Sequence, residues 1–149
     1  MSMRSVTLAQ ARIIIDQALS APRSSPDRRL AVAVCDAGGH LLAFEREGGA
    51  PPLLGHIAQA KAQTCIAYGK STADLMDMAE QWPVWFEGIS RVSMERMGLP
   101  LIATRGGVFI RDTDGSVMGA VGVAGEAGEY DEANAIAGIR SAGLAADAD

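Results

Sequence analysis

Apolar and polar residues follow one another along this chain in short blocks, and their spacing predicts nine elements. Thr7 and Gln10 form a capping box ahead of apolar positions at helical spacing. The predicted elements are a helix over residues 8–21, strands over 30–36 and 40–46, helices over 52–68 and 72–97 with an interruption at Pro83, strands over 99–104, 108–112 and 117–124, and a helix over 131–145.

The order of these elements predicts the fold class. Residues 37–39 and 112–115 are turn sequences of hairpin length, so most strand pairs should be antiparallel. This favours an α+β fold over a doubly wound sheet. We expect a single domain over residues 1–149, with a polar loop over 22–29 and frayed Ala/Asp-rich residues at 142–149.

Composition and charge exclude several classes of protein. With 48% hydrophobic and 21% charged residues, the 149-residue chain is globular rather than disordered. A net charge of −5 argues against a broad nucleic-acid surface. Neither a secretory signal nor a membrane-spanning run is visible, which predicts a cytoplasmic protein with reduced thiols. Two cysteines and two histidines make a metal site or a disulfide framework unexpected.

Lys61 is the most informative single residue. It follows Ile57 by four positions and precedes Cys65 by four, so its stem lies on the apolar stripe of the helix predicted over residues 52–68. Its ammonium must therefore extend to an edge, pair with a carboxylate, or face a cavity. A cavity-facing ammonium would serve as an anion clamp or, if desolvated, as an acid or base.

Glycines are concentrated at the Gly106-Gly107 pair and along the strand predicted over residues 117–124. There Gly119, Gly122 and Gly125 repeat at every third position. Glycine in a strand marks either close packing, here against the final helix, or a place where the backbone meets a ligand. The spacing is not the dinucleotide-binding GxGxxG pattern.

Several charged residues lie next to strand ends or in the predicted final helix. Asp36 ends the first strand, and Glu126 follows the glycine-rich one. Asp131 lies in the first turn of the final helix, where a carboxylate is stabilised by the helix dipole. These three carboxylates are the candidate proton carriers for an enzyme, with Lys61 or Arg105 holding the anion of a small carboxylate.

The motifs together resemble the GlcG/HbpS-like haem-degrading family, whose domain also forms the C-terminal part of PduO-type proteins. The resemblance lies in AVAVCDAGGHLLAFEREGGA at 31–50, AKAQT at 60–64, the double glycine, DGSVMGAVGVAG at 114–125, and the final helix. It spans nearly the whole chain. In some relatives a histidine of the N-terminal helix ligates haem, and residues 8–21 of this chain contain none.

This resemblance implies a profilin-like, PAS-like fold with a five-stranded antiparallel sheet flanked by helices. It also implies homo-oligomers built from dimers, often octamers, and haem as a cofactor of some members. The implied ligand-binding residues are Lys61, Thr64, Thr104, Arg105, Gly106, Gly107, Gly119, Gly122 and Gly125.

Three functions follow as hypotheses. The first is binding of a small molecule, either haem or another tetrapyrrole, in an apolar cleft with its propionates near Lys61 or Arg105. The second is a cofactor-independent hydratase, lyase or isomerase of a catabolic pathway, using Lys61, Asp36, Glu126 and Asp131. The third is an assembly protein whose oligomer is its function.

Overall fold

The computed structural model describes residues 4–146 and contains five helices and five strands within that range. In chain order these are α1 Leu8–Ser20, β1 Ala31–Asp36, β2 Leu41–Arg46, α2 Pro52–Tyr68, α3 Thr72–Gln81, α4 Pro83–Met97, β3 Gly107–Arg111, β4 Val117–Ala124, α5 Gly128–Ser141 and β5 Ala145–Ala146.

The five strands form one antiparallel sheet in the order β2-β1-β4-β3-β5. This confirms the α+β class and the five-stranded sheet. The central pair runs in register from Ala31 opposite Ala124 to Asp36 opposite Gly119. At the usual rise per strand residue these six pairs span about 17 Å, so the end of the sheet at Ala31 and Ala124 lies well away from the end at Asp36 and Gly119.

The two faces of the sheet bury different kinds of side chain. Valines and isoleucines, such as Val32, Val34 and Val121, face α1 and α5 in the largest apolar cluster. The alternate positions of β1 and β4 are small residues, including Ala33 and Ala120, and they face α2. Because successive strand residues point to opposite faces, this alternation lets α2 lie close to the sheet.

The prediction of a strand over residues 99–104 is wrong. That segment has no regular secondary structure. Its Pro100 has no amide hydrogen for a strand ladder. The amide of Ile102 donates instead to Thr64 Oγ1, at 3.1 Å. An apolar run therefore became a connection tied to α2.

The fifth strand lies where the sequence predicted the end of a helix and a frayed tail. The helix predicted over 131–145 begins earlier, at Gly128, and ends at Ser141. Ala145 and Ala146 then pair with Arg111 and Ile110. The remaining part of the predicted tail, residues 147–149, lies outside the described residues.

Candidate functional site

A cleft of about 490 Å³ opens at the end of the sheet where β1 begins and β4 ends. This volume is in the range of small-molecule pockets. One part of its lining is apolar and the rim is charged, whereas the sequence predicted an apolar cleft with its positive charge at Lys61 or Arg105. Its lining residues are Asp27, Arg28, Arg29, Gly49, Pro51, Leu54, Ile57, Lys61, Thr104, Ala124, Gly125, Glu126 and Asp131.

Lys61 and Asp131 form a buried ion pair in this cleft. Lys61 Nζ donates to Asp131 Oδ2 at 3.2 Å and to the carbonyl oxygen of Val123 at 2.8 Å. Both residues are almost fully buried, with 4% and 2% of their surface exposed. An ammonium has three hydrogens to donate. Asp131 and Val123 account for two of them, and the third has no hydrogen-bond partner among the described residues. Of the three alternatives predicted for Lys61, the structure shows two together: its ammonium pairs with a carboxylate, and the residue lines a cleft.

Asp131 is held by α5 and by the loop before it. Its Oδ1 accepts a hydrogen bond from the amide of Glu126 at 3.0 Å, while Oδ2 faces Lys61. It lies in the first turn of α5, where the helix dipole favours a negative charge. The orientation of its carboxyl group is thus fixed from two sides.

Burial shifts both partners toward their neutral forms. Desolvation raises the pKa of Asp131 to about 6, against the opposing effects of Lys61 and the amide of Glu126. Desolvation also lowers the pKa of Lys61, although the Asp131 carboxylate acts in the opposite direction. A proton can therefore pass between the two groups at a smaller cost than between an exposed lysine and an exposed aspartate.

The glycines of β4 serve mainly to bring backbone into contact. A Cβ atom at Gly122 would lie 2.0 Å from the carbonyl oxygen of Ala58 in α2, and one at Gly119 would lie 2.3 Å from that of Cys35. Neither glycine lines the cleft. Close packing was one of the two predicted explanations, but the helix on Gly122 is α2 and not the final helix. Gly125 does line the cleft.

Gly106 makes room for the ammonium of Lys61. Its φ of +127° is unfavourable for residues with a side chain, and a Cβ atom there would lie 2.8 Å from Lys61 Nζ. Gly107 fits against Thr72, whose Oγ1 accepts its amide hydrogen at 2.8 Å. Neither of these two glycines lines the cleft itself.

The structure brings five predicted site residues together at the cleft and places three side chains elsewhere. Lys61, Thr104, Gly125, Glu126 and Asp131 line it. The other three are Thr64, which is buried against Ile102; Arg105, which lies 3.4 Å from Glu132; and Asp36, at the opposite end of the sheet.

Asp36 has a structural role at its own turn. Its Oδ1 accepts hydrogen bonds from the amides of Gly38 and His40, each at 2.9 Å. This is the turn-closing arrangement typical of aspartate. Asp36 is therefore unsuited to act together with Lys61, because the length of β1 separates them.

Sequence reasoning missed the charged rim of the cleft. Asp27, Arg28 and Arg29 belong to the segment that was predicted only to be a polar loop. Glu126 accepts hydrogen bonds from the amide and hydroxyl of Ser24, at 2.8 and 2.6 Å, and fastens this loop. Two adjacent arginines before a buried strand could have suggested a charged site. The sequence does not show which residues lie beside them, because that depends on the pairing of β1 with β4.

Residues 4–146 hold neither a cluster of metal-binding side chains nor a helix that could span a membrane. They contain no group of three or more His, Cys, Asp or Glu side chains arranged to hold a metal ion. Within the same range, no helix has the length and apolar character needed to cross a bilayer.

Comparison with known proteins relates the whole arrangement to one family. Its model, described as "Haem degrading protein HbpS-like", matches residues 6–140. Protein GlcG of Escherichia coli strain K12 is 30% identical over 94 residues, which are 63% of this chain and 63% of GlcG. The match thus spans less than two thirds of GlcG.

Solved structures show the same fold. A double mutant of HbpS from Streptomyces reticuli is 27% identical, with a TM-score of 0.75 over 94% of this chain and 88% of that one. The PduOC:heme complex is 22% identical, with a TM-score of 0.71 over 94% of this chain and 96% of that one, and is a likeness of fold alone. Because the family model matches most of the sequence, this chain belongs to the HbpS-like family.

Proposed function

We propose that this protein binds an anionic organic molecule in the cleft that contains Lys61, and that haem or another tetrapyrrole is the ligand. The observation that supports this is the division of the cleft into an apolar wall and a charged rim that contains two arginines. Pro51, Leu54, Ile57 and Ala124 provide the wall, and the rim consists of Asp27, Arg28, Arg29 and Glu126. A ligand with an apolar body and peripheral carboxylates matches both.

The charges of the cleft suit carboxylates at two depths. Arg29 is exposed at the rim, where it can meet a propionate, whereas the exposed Arg28 already lies 3.6 Å from the Glu126 carboxylate. Deeper in the cleft, Lys61 has one hydrogen left to donate. Guanidinium and ammonium groups both form charge-assisted hydrogen bonds to carboxylates.

The donor set does not fit axial ligation of haem iron by an ordinary protein ligand. Such ligands are histidine, cysteine, methionine and tyrosine. Among the described residues that line the cleft, none belongs to these types. The fit therefore extends to the porphyrin ring and its carboxylates, and we derive no chemistry through the iron.

The family relationship supports the same ligand class. The family model is described in terms of haem degradation, and a structural neighbour was solved with heme. Together with the wall and rim of the cleft, this makes tetrapyrroles the first compounds to test.

The experiment is a titration of the full chain with haemin and, separately, with metal-free protoporphyrin IX, followed by the Soret band and by tryptophan fluorescence. Binding through ring and carboxylates predicts affinities for the two compounds within about tenfold of each other, since a tenfold change is only 1.4 kcal/mol. No spectral change with either compound would remove the tetrapyrrole proposal. Binding of haemin alone would show that iron ligation, not the cleft, carries recognition.

Two neighbouring leucines of α2 provide a matched pair of variants. Leu54→Asp places a charge on the apolar wall, whereas Leu53, which is 64% exposed, does not line the cleft. We expect Leu54→Asp to weaken porphyrin binding by about tenfold or more, because a buried charge must be desolvated. Leu53→Asp should bind as the wild type does. Equal affinities for both variants would place the ligand elsewhere.

One observation favours a second function, proton transfer on a small carboxylate. A carboxyl group whose pKa is raised to about 6 lies in the cleft beside an ammonium, and such perturbed pairs mark catalytic sites. A panel of small hydroxy and oxo acids, followed by nuclear magnetic resonance for solvent deuterium exchange, tests this. Exchange that is lost in an Asp131→Asn variant shown to be folded by circular dichroism would support the enzyme, and no exchange across the panel would count against it.

A further inference from the structure

We propose that Lys61 is a nucleophile that forms an imine with a small aldehyde or 2-oxo acid bound in the cleft. The proposal rests on this cleft being the ligand site, but it adds a covalent reaction that simple binding does not require. The geometry that points to it is an amine at the floor of an open cleft, a carboxyl group beside that amine, and arginines at the mouth.

The amine is placed where a small carbonyl compound can meet it. Lys61 lines the cleft although only 4% of its surface is exposed. Its nitrogen is fixed by the carbonyl oxygen of Val123 and by Asp131. A lysine in a desolvated pocket is the usual form of a Schiff-base nucleophile, because the free amine is the reactive species. Burial lowers the pKa of Lys61 and so increases the free-base fraction.

Asp131 supplies the proton that the reaction needs. Its Oδ2 lies 3.2 Å from Nζ, so the ammonium proton can pass to it and leave a neutral amine beside a carboxylic acid. The amine then attacks the carbonyl carbon, a carbon–nitrogen bond forms as the carbonyl π bond breaks, and one proton moves from the nitrogen to the oxygen to give a neutral carbinolamine. Asp131 returns the proton to the hydroxyl group as the carbon–oxygen bond breaks. The products are a protonated imine, one water molecule and the Asp131 carboxylate.

The rim of the cleft can bind the carboxylate of a 2-oxo acid. Arg28 and Arg29 line the same cleft as Lys61, and both are exposed. A carboxylate held by either would direct the neighbouring carbonyl group toward the floor. Asp27 and Glu126 also line the cleft, and Glu126 is engaged by Ser24 and lies 3.6 Å from Arg28. Among the described residues, Arg29 is the rim cation that has no ion-pair partner, so it would hold the acid group while Lys61 and Asp131 act on the carbonyl group.

The chain contains its own control, because it has two lysines, Lys61 and Lys70. Lys70 is exposed, after the end of α2. The experiment treats the folded full chain with glyoxylate and cyanoborohydride near neutral pH and locates the reduced adducts by peptide mass mapping. The ratio of adduct at Lys61 to adduct at Lys70 comes from a single molecule, so it does not depend on whether a variant folds.

We expect this ratio to be clearly above one in the folded protein, because Lys61 lies in the cleft beside Asp131 and burial lowers its pKa, which increases the fraction of free amine. In denaturant it should approach about one. Lys61→Arg keeps the positive charge and should lose the adduct, and Lys70→Arg should leave the Lys61 adduct unchanged. A folded-state ratio of one or less would overturn the proposal and identify the ion pair as purely structural.

The outcome is separable from that of porphyrin binding. Porphyrin binding that Leu54→Asp weakens, without an adduct at Lys61, would overturn the nucleophile and leave the cleft as the ligand site. An adduct at Lys61 without porphyrin binding would support the nucleophile and remove the tetrapyrrole.

Discussion

Helices α2 and α4 begin and end in the same way but have opposite environments. Each has a proline at its start and ends at a left-handed glycine, Gly69 or Gly98, and they contain 17 and 15 residues. Yet α2 buries seven residues, whereas α4 buries only Ser93 and exposes several large apolar side chains. Local signals therefore set the extent of a helix, and the small residues opposite it decide how closely it packs.

The largest expected difference between the two helices concerns their ion pairs. Asp131→Asn leaves the buried Lys61 ammonium without its carboxylate, and we expect a loss of about 3–5 kcal/mol in the free energy of unfolding. In α4, Glu87→Gln removes an exposed partner of Arg91 and should change the free energy of unfolding by less than about 1 kcal/mol. Urea denaturation followed by circular dichroism measures both.

The double variant Lys61→Met with Asp131→Asn tests the reason for that loss. The side-chain oxygen of the asparagine can still accept a hydrogen bond from the amide of Glu126. Neither side chain of the double variant carries a charge that must be buried. Most of the lost stability should therefore return. A double variant as unstable as Asp131→Asn would mean that the loss comes from packing and not from the unpaired ammonium.

Glycines of the two environments provide the next contrast. Gly122→Ala would place a Cβ atom 2.0 Å from the carbonyl oxygen of Ala58, so α2 must move away from the sheet, and we expect a cost of about 3 kcal/mol. Gly88→Ala, in α4, would meet nothing within 4 Å and should stabilise the protein by up to about 1 kcal/mol. Thermal denaturation of both variants would contradict this explanation if Gly122→Ala were neutral.

The buried ion pair of α2 should also make the stability of the protein depend on pH. The folded pKa of Asp131, about 6, exceeds its unfolded value, so the contribution of this group is complete below about pH 4 and is lost as the pH rises through 6. Lys61 has a lowered pKa, so its contribution increases as the pH rises toward 10.5. Relative to the double variant, the wild type should be least stable at pH values above about 6 and well below 10.5.

Denaturation of both proteins at several pH values from about 4 to 8 tests this. The wild type should lose stability relative to the double variant between about pH 4 and pH 7. A difference that stays constant across this range would show that Asp131 titrates at its ordinary pKa.

Much of the fold could be predicted from the sequence because its signals are local. The proline at the start of α2 and the apolar run of β1 gave elements within one residue of those observed. Ala145 and Ala146 carry no such signal, because their strand exists only through pairing with β3. The run at 99–104 was misleading, since an apolar sequence does not reveal that Thr64 takes the amide of Ile102.

The candidate site was predictable only in part, for the same reason. A charge on an apolar stripe identified Lys61, and its position needed only helical geometry. The partner Asp131 was named for its place in a first helical turn, but its contact with Lys61 depends on how α5 follows β4. Arg28 and Arg29 reach the cleft through the pairing of β1 with β4, which spacing along the chain does not show.

The fastening of the loop over residues 22–29 has a consequence for how this protein can evolve. Ser24 is bound to Glu126 and Arg23 to Glu47, so the loop keeps two ties that do not depend on Arg28, which lies 3.6 Å from Glu126, or on Arg29, which donates to the carbonyl oxygen of Pro26. Arg28 and Arg29 can therefore change with little effect on folding. Descendants of this chain can acquire new ligand preferences at the mouth of the cleft while the lysine and aspartate below it stay the same.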